Sequence, residues 1–159
     1  MLGQTVADPH GVEGAPGVTT ALGLLEIGTT LTQDKRLAQV TGHCAFADTT
    51  AAAAVSGYEI HMGTSHGAAL GRPAFNITDG VQARPEGARS ADDQILGSYL
   101  HGMFDTPDAC AALLAWAGLR TDNKVDLAQL REASLDRIAD ASAGLLDTLT
   151  SLPQWECVR

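Results

Sequence analysis

Strict alternation of apolar and polar positions runs through residues 57–63, which read GYEIHMG. Successive side chains of a strand point to opposite faces of a sheet. The apolar members of the segment therefore share one face, while Glu59 and His61 share the other. Those apolar members are Tyr58, Ile60 and Met62. The pattern predicts a strand that displays a carboxylate and an imidazole side by side.

Short apolar segments elsewhere predict further strands. They cover residues 22–27, 36–41, 73–78 and 95–100. A Thr/Gln/Asp turn separates the first two, and the pair Asp79 and Gly80 makes a turn after the third, followed by a polar loop through Asp93. The first twenty residues are rich in glycine and proline and predict an exposed loop.

Helical periodicity is confined to the carboxy-terminal third of the chain. Thr106, Pro107 and Asp108 supply a hydroxyl N-cap, a proline at the first helical position and an acid in the first turn. Gly118 is a suitable terminator for this helix. Its apolar stripe is predicted to comprise Ala109, Cys110, Leu113, Leu114 and Ala117.

A second helix is predicted to begin at Asp126, with Gln129 three residues later as in a capping box. Apolar positions then recur at spacings of three and four, which indicates one stripe buried on the sheet or on the neighbouring helix. The stripe comprises Leu135, Ile138, Ser142, Leu145 and Leu149.

Composition narrows the class of protein. With 159 residues and 45% apolar side chains, one domain of ordinary size is expected. A net charge of -9 and a pI near 4.7 disfavour binding to nucleic acid or to an anionic membrane surface. No apolar run approaches the roughly 20 residues of a spanning helix, and no signal peptide is evident, so a cytoplasmic location is expected.

The cysteines argue against structural cross-links. Cys44, Cys110 and Cys157 are odd in number and include no CxxC pair, which disfavours a disulfide framework and a zinc knuckle. His10, His43 and His66 offer no ligand spacing, so no metal site is expected. A Walker-type phosphate loop is also absent from the sequence, which therefore shows no means of binding ATP.

His101 is the leading candidate for chemistry. It stands at the carboxyl end of a predicted strand, on a glycine-containing turn before a capped helix, and ligands of α/β sheets bind in such places. A near-neutral imidazole suits proton transfer. The alternative is that His101 only hydrogen-bonds the turn. Glu59 and His61 could likewise orient each other or meet a polar ligand, or form an ordinary solvated strand face.

Two segments carry a resemblance to a known family. Residues 57–64 read GYEIHMGT, and residues 95–105 read ILGSYLHGMFD. Both resemble signatures of the cobyric acid synthases. Supporting similarity extends over residues 1–3, 8–14, 22–25 and 135–140 and to Lys35.

The resemblance implies an α/β fold with a mixed sheet and flanking helices. Residues 1–159 would form the carboxy-terminal portion of a class I, flavodoxin-like glutamine amidotransferase domain, fused behind a synthetase domain. In this family a cysteine thiolate attacks the glutamine amide and releases ammonia. The ammonia then amidates corrinoid side-chain carboxylates in cobalamin biosynthesis. His101 would be the general base and later the acid.

Partners and cofactors follow from the same resemblance. Glutamine is the expected substrate, and the corrinoid would be reached through the synthetase domain of the same enzyme. ATP and magnesium belong to that synthetase domain, so no cofactor is expected in this chain. Glu59 and His61 are expected to bind substrate near the interface between the two domains.

The chain departs from the family pattern at two points. The nucleophilic cysteine of the G-x-C-G-G elbow is expected just before Met1, and none of the three cysteines present is suitably placed to replace it. Met103 stands where many class I enzymes carry the triad glutamate. The chain alone is therefore predicted to be an inactive enzyme fragment. The alternative is a non-catalytic amidotransferase-like module that docks on a separate synthetase.

Overall fold

A computed structural model describes residues 1–46, 52–119 and 126–151. The chain divides into two compact units, Met1–Val125 and Asp126–Arg159. Within the described residues, the first unit contains the strands and one α-helix, and the second contains one long helix. None of the helices in these ranges is long and apolar enough to cross a membrane.

All nine described strands precede both α-helices, so strands and α-helices do not alternate along the chain. The strands are β1 (Thr5–Asp8), β2 (Gly17–Thr20), β3 (Gly28–Cys44), β4 (Ala54–His66), β5 (Phe75–Thr78), β6 (Ala83–Glu86), β7 (Ala88–Arg89), β8 (Leu96–Gly97) and β9 (Leu100–His101). The helices are α1 (Pro107–Trp116) and α2 (Leu127–Thr150), and a short 3-10 helix covers Ala68–Gly71.

Seven of the described strands form one mixed sheet. Its main path runs β2-β1-β3-β4-β9, while β5 pairs with β3 and β6 pairs with β5. The β1 and β3 strands are parallel, and the other pairs are antiparallel. The β7 and β8 strands form a separate two-stranded ribbon. This mixed sheet with helices confirms the predicted α/β class.

The register of the central strands fixes which side chains share a face. Tyr58 of β4 pairs with Gln39 of β3 and with His101 of β9. Glu59 pairs with Leu100 in the next register position. Because paired residues project from the same side of a sheet, His101 and Tyr58 lie on one face, the outer face, and Glu59 and Leu100 on the other, the inner face.

The main hydrophobic core lies between the inner face and α1. It includes Val40, Val55, Phe75, Ile77 and Leu100, each at most 2% exposed. Ala109 and Leu113 of α1 are buried against these strands. Burial of each large apolar side chain contributes about 1.5–3 kcal/mol, so this layer anchors the sheet and the helix to each other.

Several predicted elements are confirmed. Residues 36–41 lie within β3, residues 57–63 within β4, and most of residues 73–78 within β5. In α1 the buried residues are Ala109, Cys110 and Leu113, as the apolar stripe predicted, and Leu114 is half-buried while Ala117 is exposed. The turn at Asp79 and Gly80 joins β5 to β6.

The strand predicted over residues 22–27 is wrong. Leu25 is buried, but its segment pairs irregularly with the first residues of the chain, as when the Leu24 and Leu25 amides both donate to the Leu2 carbonyl. The predicted turn after it is also wrong, because β3 continues through that region with a shift in register between Thr30 and Lys35. The apolar side chain of Leu25 reflects its burial and does not indicate a strand.

Other boundaries also differ from prediction. The first twenty residues contain β1 and β2, and the expected polar loop before Asp93 contains β6 and β7. The strand predicted over residues 95–100 is two short strands that belong to different sheets. The break between the two strands falls at Ser98 and Tyr99. There the Ser98 hydroxyl and the Tyr99 amide donate to the Glu86 side chain.

Both helices begin where predicted. The Asp126 carboxylate accepts a hydrogen bond from the Gln129 amide at 2.9 Å, as expected for an N-cap. Thr106 is the N-cap of α1, but its hydroxyl caps no helical amide and instead accepts from the Ser56 amide at 3.2 Å. Burial of the stripe along α2, on the sheet or on the neighbouring helix, stays a prediction.

Candidate active site

His101 is the last residue of β9 and is exposed on the outer face of the sheet. Gly102 follows with a positive φ of 82°, which lets the chain turn sharply away from the strand. The Asp105 amide then donates to the Gly102 carbonyl at 2.9 Å, and α1 begins at Pro107. The predicted position of His101, between the end of a strand and the start of a helix, is confirmed.

Close contact between the backbones of β4 and β9 determines where the backbone of His101 lies. A Cβ added at Gly57 would lie 2.1 Å from the His101 carbonyl oxygen, so only glycine permits this approach. In the part of the chain that the structure describes, no side chain hydrogen-bonds the His101 ring. The position of the imidazole is therefore set mainly by the backbone of β9.

Glu59 is enclosed on the inner face, at 2% exposure. The Nε of Arg36 and the Nη2 of Arg84 both donate to its Oε2. Arg36 also donates from Nη2 to Asp79 at 2.8 Å. Burial raises the pKa of Glu59, but the hydrogen bonds from Arg36 and Arg84 outweigh it and hold that pKa below its ordinary value. Glu59 is thus an ionised carboxylate within a charged cluster.

His61 contacts both this charged cluster and Tyr99, which directly precedes β9. Its Nε2 lies 3.3 Å from a Glu59 oxygen, and its Nδ1 lies 2.9 Å from the Gly63 carbonyl oxygen. The ring stacks on Tyr99 with centroids 4.6 Å apart and an interplanar angle of 26°. The Tyr99 hydroxyl in turn lies 2.7 Å from the Ser65 hydroxyl.

The structure brings Glu59 and His61 together but separates both from His101. The predicted contact between the carboxylate and the imidazole is present, and the interpretation of Glu59 as a solvated strand face is wrong. Because Tyr58 and Glu59 are consecutive in β4, the face that carries Glu59 is opposite the face that carries His101. The role of Glu59 and His61 in substrate binding stays a prediction.

Glu86 was not identified from the sequence. It is 5% exposed at the end of β6 and accepts hydrogen bonds from the Ser98 hydroxyl at 2.7 Å and the Tyr99 amide at 2.8 Å. Burial raises the pKa of its carboxyl above the ordinary value. The sequence predicted a polar loop over this segment, and a single glutamate in a loop specifies no partner.

A cavity of about 230 Å³ lies beside Tyr99. Apolar side chains and hydroxyl groups both line it, and the principal ones are Leu25, Ile27, Leu70, Ser65, Ser98 and Tyr99. The Thr29 hydroxyl lies 2.9 Å from that of Ser65, so a small hydroxyl cluster borders this space. Neither the cavity nor the cluster was expected from the sequence.

The described thiols are poor nucleophiles. Burial raises the pKa of Cys44 to about 11. Cys44 lies five residues along β3 from Gln39, the residue level with His101, which corresponds to about 17 Å along the strand. Cys110 is buried in α1. Neither sulfur is within hydrogen-bond distance of the His101 ring, and Cys157 lies outside the described residues.

The described ranges show no set of side chains arranged to bind a metal ion. Those residues contain no group of three or more His, Cys, Asp or Glu side chains that could hold a metal ion. The chemistry available at the outer face is proton transfer by His101, next to the exposed ring of Tyr58.

The mixed sheet and the family comparison together define the chain as a glutamine amidotransferase domain. Residues 1–109 match the model of the CobB/CobQ-like glutamine amidotransferase domain, and the chain belongs to this family. The match includes every described strand and the start of α1, and therefore both segments that carry the resemblance. Glutamine is the substrate that this class implies, and transfer of the glutamine amide nitrogen is the activity of the class.

Proposed function

We propose that this chain is the glutamine amidotransferase part of a cobyric acid synthase. It would supply ammonia from glutamine for the ATP-dependent amidation of corrinoid side-chain carboxylates in cobalamin biosynthesis. The observation that carries the proposal is the exposed His101 at the end of β9, within the ILGSYLHGMFD segment. The family match over residues 1–109 supports the glutamine-dependent half of the proposal.

His101 would serve as base and then as acid. It accepts the proton of a cysteine thiol, and the resulting thiolate attacks the side-chain amide carbon of glutamine. The carbon–nitrogen bond breaks, and the imidazolium returns its proton to the departing nitrogen, which leaves as ammonia. Water then attacks the glutamyl thioester, with His101 again as base, to release glutamate and regenerate the thiol.

The nucleophile of this reaction is proposed to come from outside residues 1–159. Cys44 and Cys110 are buried, and the high pKa of Cys44 leaves little thiolate near neutral pH. The chain alone is therefore expected to release no ammonia from glutamine. An in-frame G-x-C-G-G-Y-Q sequence directly upstream of Met1 in the gene would support this proposal.

ATP and magnesium are assigned to the synthetase part of the enzyme. The described residues offer no cluster of metal-binding side chains, so no step of the proposal in this chain passes through a metal. The ammonia produced next to His101 would pass to that synthetase part, where the corrinoid carboxylates are activated.

The complete enzyme provides the direct test. His101→Ala should lower the rate of glutamine hydrolysis by about 100- to 10,000-fold, because the thiol loses its base. Amidation driven by added ammonium chloride should persist. His10→Ala is the matched control, since His10 is an exposed histidine far from β9 in the chain. Equal glutaminase rates in the parent and His101→Ala enzymes would contradict the assignment.

The purified chain tests the missing nucleophile. Incubation with glutamine followed by an ammonia assay should show no turnover above the buffer control. Turnover that His101→Ala abolishes, and that survives mutation of each cysteine, would overturn the mechanism. A monomer that unfolds cooperatively, binds a separate synthetase and never supports turnover there would instead favour the non-catalytic docking module.

Glu59 and His61 are proposed to act near the interface with the synthetase part. Glu59 itself is enclosed, so His61 and Arg36, which are partly exposed, would make any such contact. Glu59→Ala in the complete enzyme should therefore reduce amidation coupled to glutamine. Unchanged glutaminase and synthase rates in that variant would remove the idea.

A further inference from the structure

Glu86 holds the backbone that leads into β9. Its Oε1 accepts from the Tyr99 amide at 2.8 Å, and its Oε2 accepts from the Ser98 hydroxyl at 2.7 Å. The Ser98 oxygen also accepts from the Leu100 amide at 2.9 Å. One buried carboxylate therefore fixes three consecutive residues, the last of which directly precedes His101.

Ser98 and Tyr99 are not held by a regular ladder. They fall between β8 and β9, where the backbone leaves one sheet and joins the other, and Leu100 is the first residue of β9. A buried amide without a partner costs about 1–3 kcal/mol, so the Tyr99 amide needs an acceptor that its neighbouring strands do not supply. Glu86 is that acceptor.

On its other side this segment is held by β4. The Tyr99 carbonyl accepts from the Ile60 amide at 3.2 Å, and its ring stacks on His61. Tyr99 is thus fixed through its amide by Glu86 and through its carbonyl and ring by β4. If the Glu86 carboxylate were removed, Tyr99 would keep its contacts with β4 and the 3.4 Å contact of its hydroxyl with Thr29 of β3, but its amide would lose its acceptor.

The His101 ring lacks a side-chain partner in the described ranges. The direction of the imidazole therefore depends on the backbone that bears it. We propose that Glu86 is a positioning residue for His101, acting through Ser98, Tyr99 and Leu100. The expected effect of Glu86 on turnover rests on the proposed function, whereas its expected effect on the backbone does not.

Amide hydrogen exchange on the chain itself tests the structural effect. In Glu86→Ala the Tyr99 and Leu100 amides should exchange about 10- to 100-fold faster than in the parent, as expected for loss of a hydrogen-bonded anchor. Amides of the main core, such as those of Val40 and Phe75, should change less. Glu13→Ala is the matched control, because Glu13 is an exposed glutamate.

Graded variants separate positioning from general destabilisation. Glu86→Gln retains one acceptor oxygen for the Tyr99 amide and should keep that amide protected. Ser98→Ala removes both hydrogen bonds of the Ser98 hydroxyl, to Glu86 and from the Leu100 amide, but keeps the bond from the Tyr99 amide to Glu86. It should expose the Leu100 amide while leaving that of Tyr99 protected. These milder changes also test the proposal if Glu86→Ala fails to fold. Unchanged exchange at Tyr99 in Glu86→Ala, or a uniform increase across core amides, would overturn the proposal.

Kinetics of the complete enzyme test the consequence for His101. Glu86→Ala should lower kcat for glutamine hydrolysis by up to about 100-fold through misplacement of the imidazole, with KM for glutamine little changed. Glu86→Gln should restore part of kcat. A raised KM with an unchanged kcat would contradict a positioning role. If His101→Ala proved harmless while the exchange results held, the proposed function would fail and the structural anchor would stand.

Discussion

Glu59 and Glu86 are both enclosed by the sheet, yet their surroundings shift the two pKa values in opposite directions. Burial acts on both carboxyls in the same sense, toward a higher pKa. Glu59 has hydrogen bonds from two arginines that outweigh burial, whereas Glu86 has only an amide and a hydroxyl as donors. Two charged donors therefore lower the pKa of Glu59, whereas at Glu86 burial outweighs two neutral donors.

The two carboxyls should therefore give opposite pH dependences of stability. From an ordinary value of 4.5 the pKa of Glu59 is lowered, so its contribution is present above pH 4.5 and is lost as pH falls through the lower folded value. The pKa of Glu86 is raised, so its favourable contribution is present below 4.5 and is lost as pH rises through the higher folded value.

Urea unfolding of Glu59→Gln and Glu86→Gln at several pH values measures this difference. At pH 7 Glu59→Gln should cost about 2 kcal/mol, because two arginines lose a charged acceptor, and the cost should shrink as pH falls below 4.5. The parent should gain stability relative to Glu86→Gln as pH falls from 8 to 4.5. Parallel pH profiles for the two variants would contradict the assigned surroundings.

The thiols give a second prediction for individual residues. With a pKa of about 11, against an ordinary value of 9.0, Cys44 should present about 100-fold less thiolate than an exposed cysteine at pH 8. Native chain treated with iodoacetamide should therefore leave Cys44 unmodified, and buried Cys110 should also resist. The same chain in urea is the control and should be modified at both positions, as read by peptide mass spectrometry. Rapid native labelling of Cys44 would contradict its burial.

At the level of elements, the attachment of β9 to β4 determines where His101 stands. Only two residue pairs, Tyr58 with His101 and Glu59 with Leu100, define this contact. Gly57 lies directly below it, with no room for a Cβ against the His101 carbonyl. A short strand held by so few pairs is sensitive to any change that separates the backbones.

Gly57→Ala should therefore displace β9. The added methyl group would overlap the His101 carbonyl oxygen, and we expect a loss of about 1–3 kcal/mol in the free energy of unfolding. Faster exchange of the Ile60 amide, which donates to Tyr99, would show that the strand has moved. Gly71→Ala is the control, because a Cβ there meets nothing within 4 Å. Equal stability losses in the two variants would argue against the close approach.

For the whole molecule, net charge is the property that most affects behaviour in solution. The chain carries -9 at pH 7, with a pI near 4.7. Like charge makes copies of the chain repel one another at neutral pH, and this repulsion disappears near the pI. The net charge follows from composition and is independent of the fold.

Light scattering across a pH series should show least solubility near pH 4.7. Replacement of exposed Glu13 by lysine makes the net charge less negative, and should move the minimum to higher pH. The replacement of exposed Gln33 by asparagine leaves the charge unchanged and serves as the control. A minimum that does not move in Glu13→Lys would show that apolar surface, and not charge, controls association.

The sequence by itself determined the features that arise from local physics. Period-two alternation placed Glu59 and His61 together on one face of β4, and capping chemistry located the first residues of α1 and α2. The end of a strand and a glycine turn identified the position of His101. These signals depend on neighbouring residues in the chain, so they are readable without the fold.

Only the tertiary structure decided which faces and partners these residues meet. Leu25 is buried, and burial does not require a strand, so its apolar side chain did not show whether the segment is a strand or a loop. The placement of His101 and Glu59 on opposite faces depends on the register between β4 and β9. Glu86 meets Ser98 and Tyr99 across the turn between two sheets, and such a contact follows from three-dimensional packing, which local residue patterns do not encode.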